Sequence, residues 1–258
     1  MATLTLLNGD CLEVMKTLPD KSVDLFLCDL PFGCLSRSSI GNPTGCDWDV
    51  KIDLKKFWEQ VNRLAKSPNT VVIHFTTTKY GIELINSNPS WFRYDLVWSK
   101  ERGTSFLTAN KMPLRSHEMI YIFAKAGTYY TRKDEIGNFT AWKSHQHKSN
   151  TRTVVEKSGE NIANANDGTT RCVKSVITIK KPNTLGHPTE KPQELYRWLI
   201  ERYCPAGGTV LDPTAGSFNS VFTAFELDRS AIGIERDPEF YQKGLVRLEA
   251  LQNTTQQE

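Results

Sequence analysis

The chain has 258 residues, 39% hydrophobic and 24% charged, the balance of an ordinary globular protein, and its length holds one α/β domain with an inserted element. No stretch approaches the roughly 18 consecutive apolar residues of a membrane span, and the start, Met1 to Leu7, has no basic region before it, so a cytoplasmic location is expected. A net charge of +3 is too small to name a partner.

In chain order, Val23–Cys28 reads as a strand ending at Asp29. Leu54 to Ala65 carries Leu54, Phe57, Trp58, Val61, Leu64 and Ala65 on one stripe, an amphipathic helix. Thr70–Phe75 is a second strand, Lys79 to Asn86 a helix, and Phe92–Trp98 and Glu118–Phe123 two more strands. Between Thr128 and Gly186 the pattern dissolves into Asn, Thr, Lys, Ser and Gly, which marks a functional segment or a small subdomain rather than an ordinary loop. Alternation then returns: helix Pro192–Tyr203, strand Thr209–Leu211, helix Ser217–Leu227, strand Ala231–Ile234 and helix Pro238–Leu251. The expectation is an interrupted, doubly wound α/β domain with a largely parallel sheet. Its segments are 1–129, an insert at 130–186, 187–252 and a polar tail at 253–258.

Charge is unevenly spread. From Tyr130 to Pro192 eleven Lys/Arg face six acids, while the remainder is slightly acidic. A basic polar stretch suits a phosphate-facing surface, and on charge alone a solvated loop fits as well. The six cysteines (Cys11, Cys28, Cys34, Cys46, Cys172 and Cys204) form no C-x-x-C pair, so no zinc framework is expected, only free thiols, most of them buried.

Two strand ends carry candidate chemistry, because open α/β sheets bind ligands there. Leu211-Asp212-Pro213-Thr214-Ala215-Gly216-Ser217 runs from a strand through a small-residue turn into a helix, where free N–H groups and close backbone approach favour a ligand. Glu235, about 20 residues on, ends the next strand, where an acid accepts from ribose hydroxyls. A plain helix–strand connection is the alternative. The second site is Asp29-Leu30-Pro31-Phe32-Gly33. Pro31 stiffens the loop, the Asp29 carboxylate and a backbone carbonyl offer two acceptors to an amine, and Phe32 offers a stacking face. Taken alone it also fits a turn with an incidental buried ring. His145 and His147 at i, i+2 do not make a metal pair, His117-Glu118 at a strand start orients a neighbouring loop, and His74 is read as a satisfied strand-end residue.

Together, Asp29-Leu30-Pro31-Phe32 and Leu211 to Ser217 resemble the catalytic and cofactor motifs of the amino-methyltransferases of DNA. The motif order resembles the β-class: catalytic loop first, then the basic insert, then His187-Pro188-Thr189-Glu190-Lys191-Pro192, then the cofactor turn. Leu6 to Leu12, Trp98-Ser99-Lys100 and His117-Glu118 are also similar to segments of that family. The resemblance implies a circularly permuted, Rossmann-like methyltransferase fold with an inserted target-recognition element. It implies S-adenosylmethionine as cofactor, held by Asp10, Cys11, Asp29, Lys191, Asp212, Pro213, Thr214, Gly216, Ser217, Phe218, Glu235 and Arg236. Asp29, Leu30, Pro31 and Phe32 would hold a flipped base, and no covalent enzyme intermediate forms; Cys204-Pro205 reverses the Pro-Cys order of ring-carbon methylation.

Double-stranded DNA is the implied partner, met by Lys100, Arg102, Lys143, Lys148, Arg152, Lys180 and Lys181, and a homodimer accords with the family. Asp at position 29 favours adenine N6; cytosine N4, an RNA substrate and a catalytically silent binding subunit are the alternatives. Two departures stand out: Phe32 for the usual Tyr, and Gly216-Ser217-Phe218-Asn219 for the usual Gly-Ser-Gly-Thr, where Phe218 packs under the cofactor or fills part of its site.

Overall fold

The computed structural model describes residues 2–33, 49–104, 106, 109–138, 142–143, 165–166, 168–181 and 190–255. The larger of two compact units comprises Met1–Thr131 with Ser175–Glu258; the smaller is Arg132–Lys174. The larger unit begins with β1 (Leu4–Asn8), α1 (Cys11–Thr17), β2 (Leu25–Cys28), α2 (Leu54–Leu64), β3 (Val71–Thr76) and α3 (Thr78–Ser87). The hairpin of β4 (Phe92–Thr104) and β5 (Arg115–Phe123) follows. In the smaller unit β6 (Glu135–Ile136) pairs with β9 (Thr170–Arg171), and β7 (Trp142–Lys143) with β8 (Ala165–Asn166). The chain returns through β10 (Val176–Thr178), α4 (Gln193–Tyr203), β11 (Thr209–Asp212), α5 (Asn219–Glu226), β12 (Ser230–Glu235) and α6 (Pro238–Thr255).

Eight strands of the larger unit form one sheet in the order β1-β12-β11-β2-β3-β5-β4-β10. All neighbours are parallel except β5, which runs antiparallel to both β3 and β4. The two halves of the chain meet where β2 pairs with β11, Leu25 against Val210 and Phe26 against Leu211. Both strands are buried on both faces, which is why they read as continuous apolar runs. Alternation along β2 sends Leu25 and Leu27 into the core under α4, α5 and α6, and Phe26 and Cys28 into the core under α1, α2 and α3. No helix among the described residues is long and apolar enough to cross a membrane.

Most elements from β2 onward lie where periodicity places them; β1 and α1 were not read from the sequence, and three further findings differ. β10 joins β4 as the sheet's last strand, so the insert bounds of 130–186 take in part of the main sheet. A strand of three residues is too short for its pattern to stand out. His74 sits inside β3, not at its end, and is fully buried edge-on to Phe57, Trp58 and Phe123 at 5.5–5.6 Å. It is not satisfied: neither ring nitrogen has a hydrogen-bond partner, and burial pushes its pKa down to about 3, keeping the ring neutral. The helix expected from Ser217 begins at Asn219, because Phe218 takes a left-handed backbone with φ 60°.

Candidate active site

β2 and β11 are parallel neighbours, so the Asp29 loop and the Asp212–Ser217 turn leave the sheet side by side at its carboxyl edge. They border one cavity of about 1040 Å³, which Asp10, Cys11, Asp29, Leu30, Pro31, Phe32, Lys191, Pro213, Thr214, Gly216, Ser217, Glu235 and Arg236 all line. Residues that the resemblance had distributed over catalytic and cofactor roles thus share one space.

The cofactor side is shaped by two carboxylates that grip backbone. Glu235 accepts from the N–H of Gly216 and of Asp237, each at 2.7 Å, tying the turn to the end of β12. Asp212 lies behind the wall: it accepts from the Thr214 N–H at 3.0 Å and from the Ser220 hydroxyl, and its side chain does not reach the cavity surface. Asp10 caps α1 by accepting from the N–H groups of Leu12 and Glu13. Two observations fit a polar ligand here. A side chain at Gly216, φ 52°, would meet nothing within 4 Å, so the backbone lies open to the cavity. The Thr214 hydroxyl is buried without a hydrogen-bond partner. S-adenosylmethionine, a polar amino acid joined to a nucleoside, suits such a wall.

Burial raises Asp212 to about 7, against the lowering effect of the Ser220 and Thr214 hydrogen bonds, with Asp29 and Glu235 adding repulsion. A carboxyl raised in the folded state binds its proton more tightly there than in the unfolded chain. Its contribution to stability is complete below about 4 and is lost as pH rises through about 7. The thermal midpoint of the cofactor-free protein is expected to fall by several degrees more across that interval than that of Asp212→Asn. Parallel midpoint curves for the two proteins would rule this out.

Phe218 does not line the cavity and corrects the expectation of a cofactor contact. Its positive φ turns the ring into the core, where it is 0% exposed. Side chains at Gly233 and Gly244 would come within 2.7 and 2.5 Å of its ring atoms, so those two glycines make the space that the ring fills. The cavity stays open on this side because the aromatic ring has its own slot at Gly233 and Gly244.

On the catalytic side, Leu30 is buried and anchors the loop, and Asp49 accepts from the Gly33 N–H at 2.8 Å. Phe32 lies 5.1 Å from Tyr80, ring to ring. Asp29 is hydrogen-bonded through Oδ2 by the Lys191 ammonium. Glu118 is bonded by Lys100 and stands 3.8 Å from Lys191. Burial raises the pKa of Glu118, but Lys191 and Lys100 outweigh it, and the carboxyl is held below its usual range. Glu118, Asp49, Lys181 and Phe240 all line the cavity and were not assigned to it from sequence. The His117-Glu118 pair was the available signal for the first.

The expected DNA contacts are divided. Lys100, 7% exposed and committed to Glu118, and Lys181 face the cavity rather than an outer surface. Arg102 and Lys180 are exposed. Lys143 falls in β7, and Lys148 and Arg152 lie outside the described residues. Burial pushes the thiols of Cys11 and Cys204 up to about 12, which leaves neither a nucleophile at neutral pH. Cys34, Cys46 and the histidines at 145 and 147 are outside the described residues.

A solved complex, M1.HpyAVI with SAM, superposes with a TM-score of 0.61 at 17% identity, covering 95% of this chain and 99% of that one. The PvuII DNA methyltransferase, cytosine-N4-specific, gives 0.64 at 16%, covering 96% and 86%. At these identities the likeness establishes the Rossmann-like fold. In sequence, the DNA adenine methyltransferase YhdJ of Escherichia coli (strain K12) is 26% identical over 98% of this chain and 85% of its own length. The family model N6_N4_Mtase, described as DNA methylase, matches residues 23–245. With both motifs at one cavity and most of its length matched, the chain belongs to the N6/N4 DNA methylase family, whose methyl donor is S-adenosylmethionine.

Proposed function

We propose that this DNA methyltransferase acts on the N6 amine of adenine. The observation that carries this is Asp29, a carboxylate at the cavity's edge beside the cofactor turn, where N4-methylating relatives more often have Ser. When bound, S-adenosylmethionine supplies an electrophilic sulfonium methyl. Pro213, Thr214, Gly216, Ser217 and Glu235 would hold the cofactor, together with Asp10, Cys11 and Arg236 in the same cavity. Asp29 and the Leu30 carbonyl would accept hydrogen bonds from the target amine and draw its nitrogen toward a tetrahedral shape, leaving the lone pair directed into the cavity. Phe32, backed by Tyr80, gives the extruded base a face to stack on, and Pro31 keeps the loop stiff. The base must leave the duplex for this geometry to be reached.

Residues 130–186 read the target sequence; the charge surplus of that segment supports the assignment. Exposed Lys180 contacts a phosphate. Lys180→Ala should weaken duplex binding equally across sequences and lower the slope of log affinity against log salt by about one. A binding isotherm identical to wild type at two salt concentrations would remove Lys180 from the interface. The reaction itself is tested by incubating unmodified duplex DNA with labelled cofactor and analysing the nucleosides. N6-methyladenine is expected; N4-methylcytosine would overturn the base assignment, and label confined to RNA would overturn the substrate.

A further inference from the structure

Lys191 stands just before α4 with its side chain only 5% exposed, in the wall of the cavity. Its ammonium bonds Asp29 Oδ2, lies 3.8 Å from Glu118 Oε2 and sits 4.7 Å over the Phe75 ring. Glu118 is bonded in turn by Lys100, which lies 5.2 Å over the Trp98 ring. Lys100, Glu118, Lys191 and Asp29 therefore form an alternating row of two ammonium groups and two carboxylates from four separate parts of the chain. We propose that Lys191 is a positioning residue for Asp29: shared between Asp29 and Glu118, it holds the catalytic carboxylate ionised and oriented, so that an acceptor oxygen is ready for the target amine. This assignment rests on the methyltransferase function proposed above and replaces the cofactor contact that resemblance implies for Lys191.

Charge balance gives the reason. A buried ammonium survives only if its charge is compensated. Burial lowers the pKa of Lys191, but Asp29 and Glu118 outweigh it and leave it raised, a firm cation. Asp29 needs that cation, because Asp212 on β11 repels it and the carboxylates Glu118 from β5 and Glu190 ahead of α4 line the same cavity. Lys100 from β4 and Lys181 after β10 complete the charged surroundings, and Tyr196 of α4 stays neutral because burial raises its hydroxyl well above the usual range. A protonated Asp29 would lose acceptor strength toward an amine. Keeping the proton off at neutral pH is the service that Lys191 performs.

The test is the single-turnover rate of methyl transfer against pH, with cofactor affinity measured in parallel. In Lys191→Met, which keeps the length of the stem, the acid limb is expected to move up by about one pH unit or more, with cofactor affinity within a few-fold of wild type. Lys191→Arg should bring the limb most of the way back. Glu118→Gln should move it the other way, to lower pH, because the Lys191 ammonium is then no longer shared with Glu118; this variant decides the matter if Lys191→Met does not fold. A fall in rate with an unmoved limb in both variants, or lost cofactor affinity in Lys191→Met with the limb unmoved, overturns the proposal. Wild-type transfer in the same assay keeps the enzymatic function standing in that event; no transfer by the wild type would refute that function instead.

Discussion

Asp29→Ala is expected to lower methyl transfer on the order of 10³-fold or more while cofactor affinity stays within a few-fold of wild type. In the proposed reaction Asp29 accepts from the amine more strongly as the nitrogen becomes tetrahedral, so its loss is expected in the chemical step. The cofactor wall is built by other residues, with Glu235 gripping Gly216 and Asp237, and Asp212 gripping Thr214 and Ser220. Removing Asp29 leaves those bonds in place, and Lys191 keeps Glu118 as a neighbour. Pre-steady-state transfer and titration calorimetry measure the two quantities separately. Normal turnover in Asp29→Ala would show that the loop has another role.

Phe218→Ala is expected to cost about 3–5 kcal/mol of folding stability, as for other fully buried aromatic rings replaced by alanine. The ring fills a slot between Gly233 and Gly244, each too close to carry a side chain of its own, so the surrounding backbone has little to collapse with. Phe218→Gly should be less damaging by about 1 kcal/mol, although it removes one carbon more, because φ 60° strains any residue with a Cβ. Urea unfolding of the three proteins checks the order. Below their midpoints both variants should bind cofactor as wild type does, since the ring does not border the cavity. Tighter cofactor binding by Phe218→Ala, with stability unchanged, would place the ring in the site after all.

The same residue shows where sequence patterns stop. A small-residue turn followed by Phe218 departs from the usual cofactor motif and reads as a ring under the cofactor or inside its site. The glycines that receive the ring are 15 and 26 residues downstream, on β12 and α6, and nothing local links them to it. Lys100 is a similar case. In a basic, polar neighbourhood it counts as a phosphate contact, yet the hairpin register that sets Glu118 opposite Trp98 brings that carboxylate to Lys100. His74 was misjudged because a polar residue in an apolar strand is expected to find a partner, and an aromatic cage surrounds it instead.

The amino-acid sequence by itself marked most strands and helices, through apolar runs of strand length and stripes of helical period, but not β1, α1 or β10. It also marked the two loops that meet at the site, since Asp29-Leu30-Pro31-Phe32 and Asp212 to Ser217 carry their chemistry in consecutive residues. Tertiary structure decided what those loops face. Pairing of β2 with β11 brings positions 29 and 212 side by side, and the return of the chain into α4 sets Lys191 between Asp29 and Glu118. Charges far apart along a chain interact only when folding brings them within a few ångströms and removes the water between them, so the ion pair of Lys191 with Asp29 belongs to the assembled sheet.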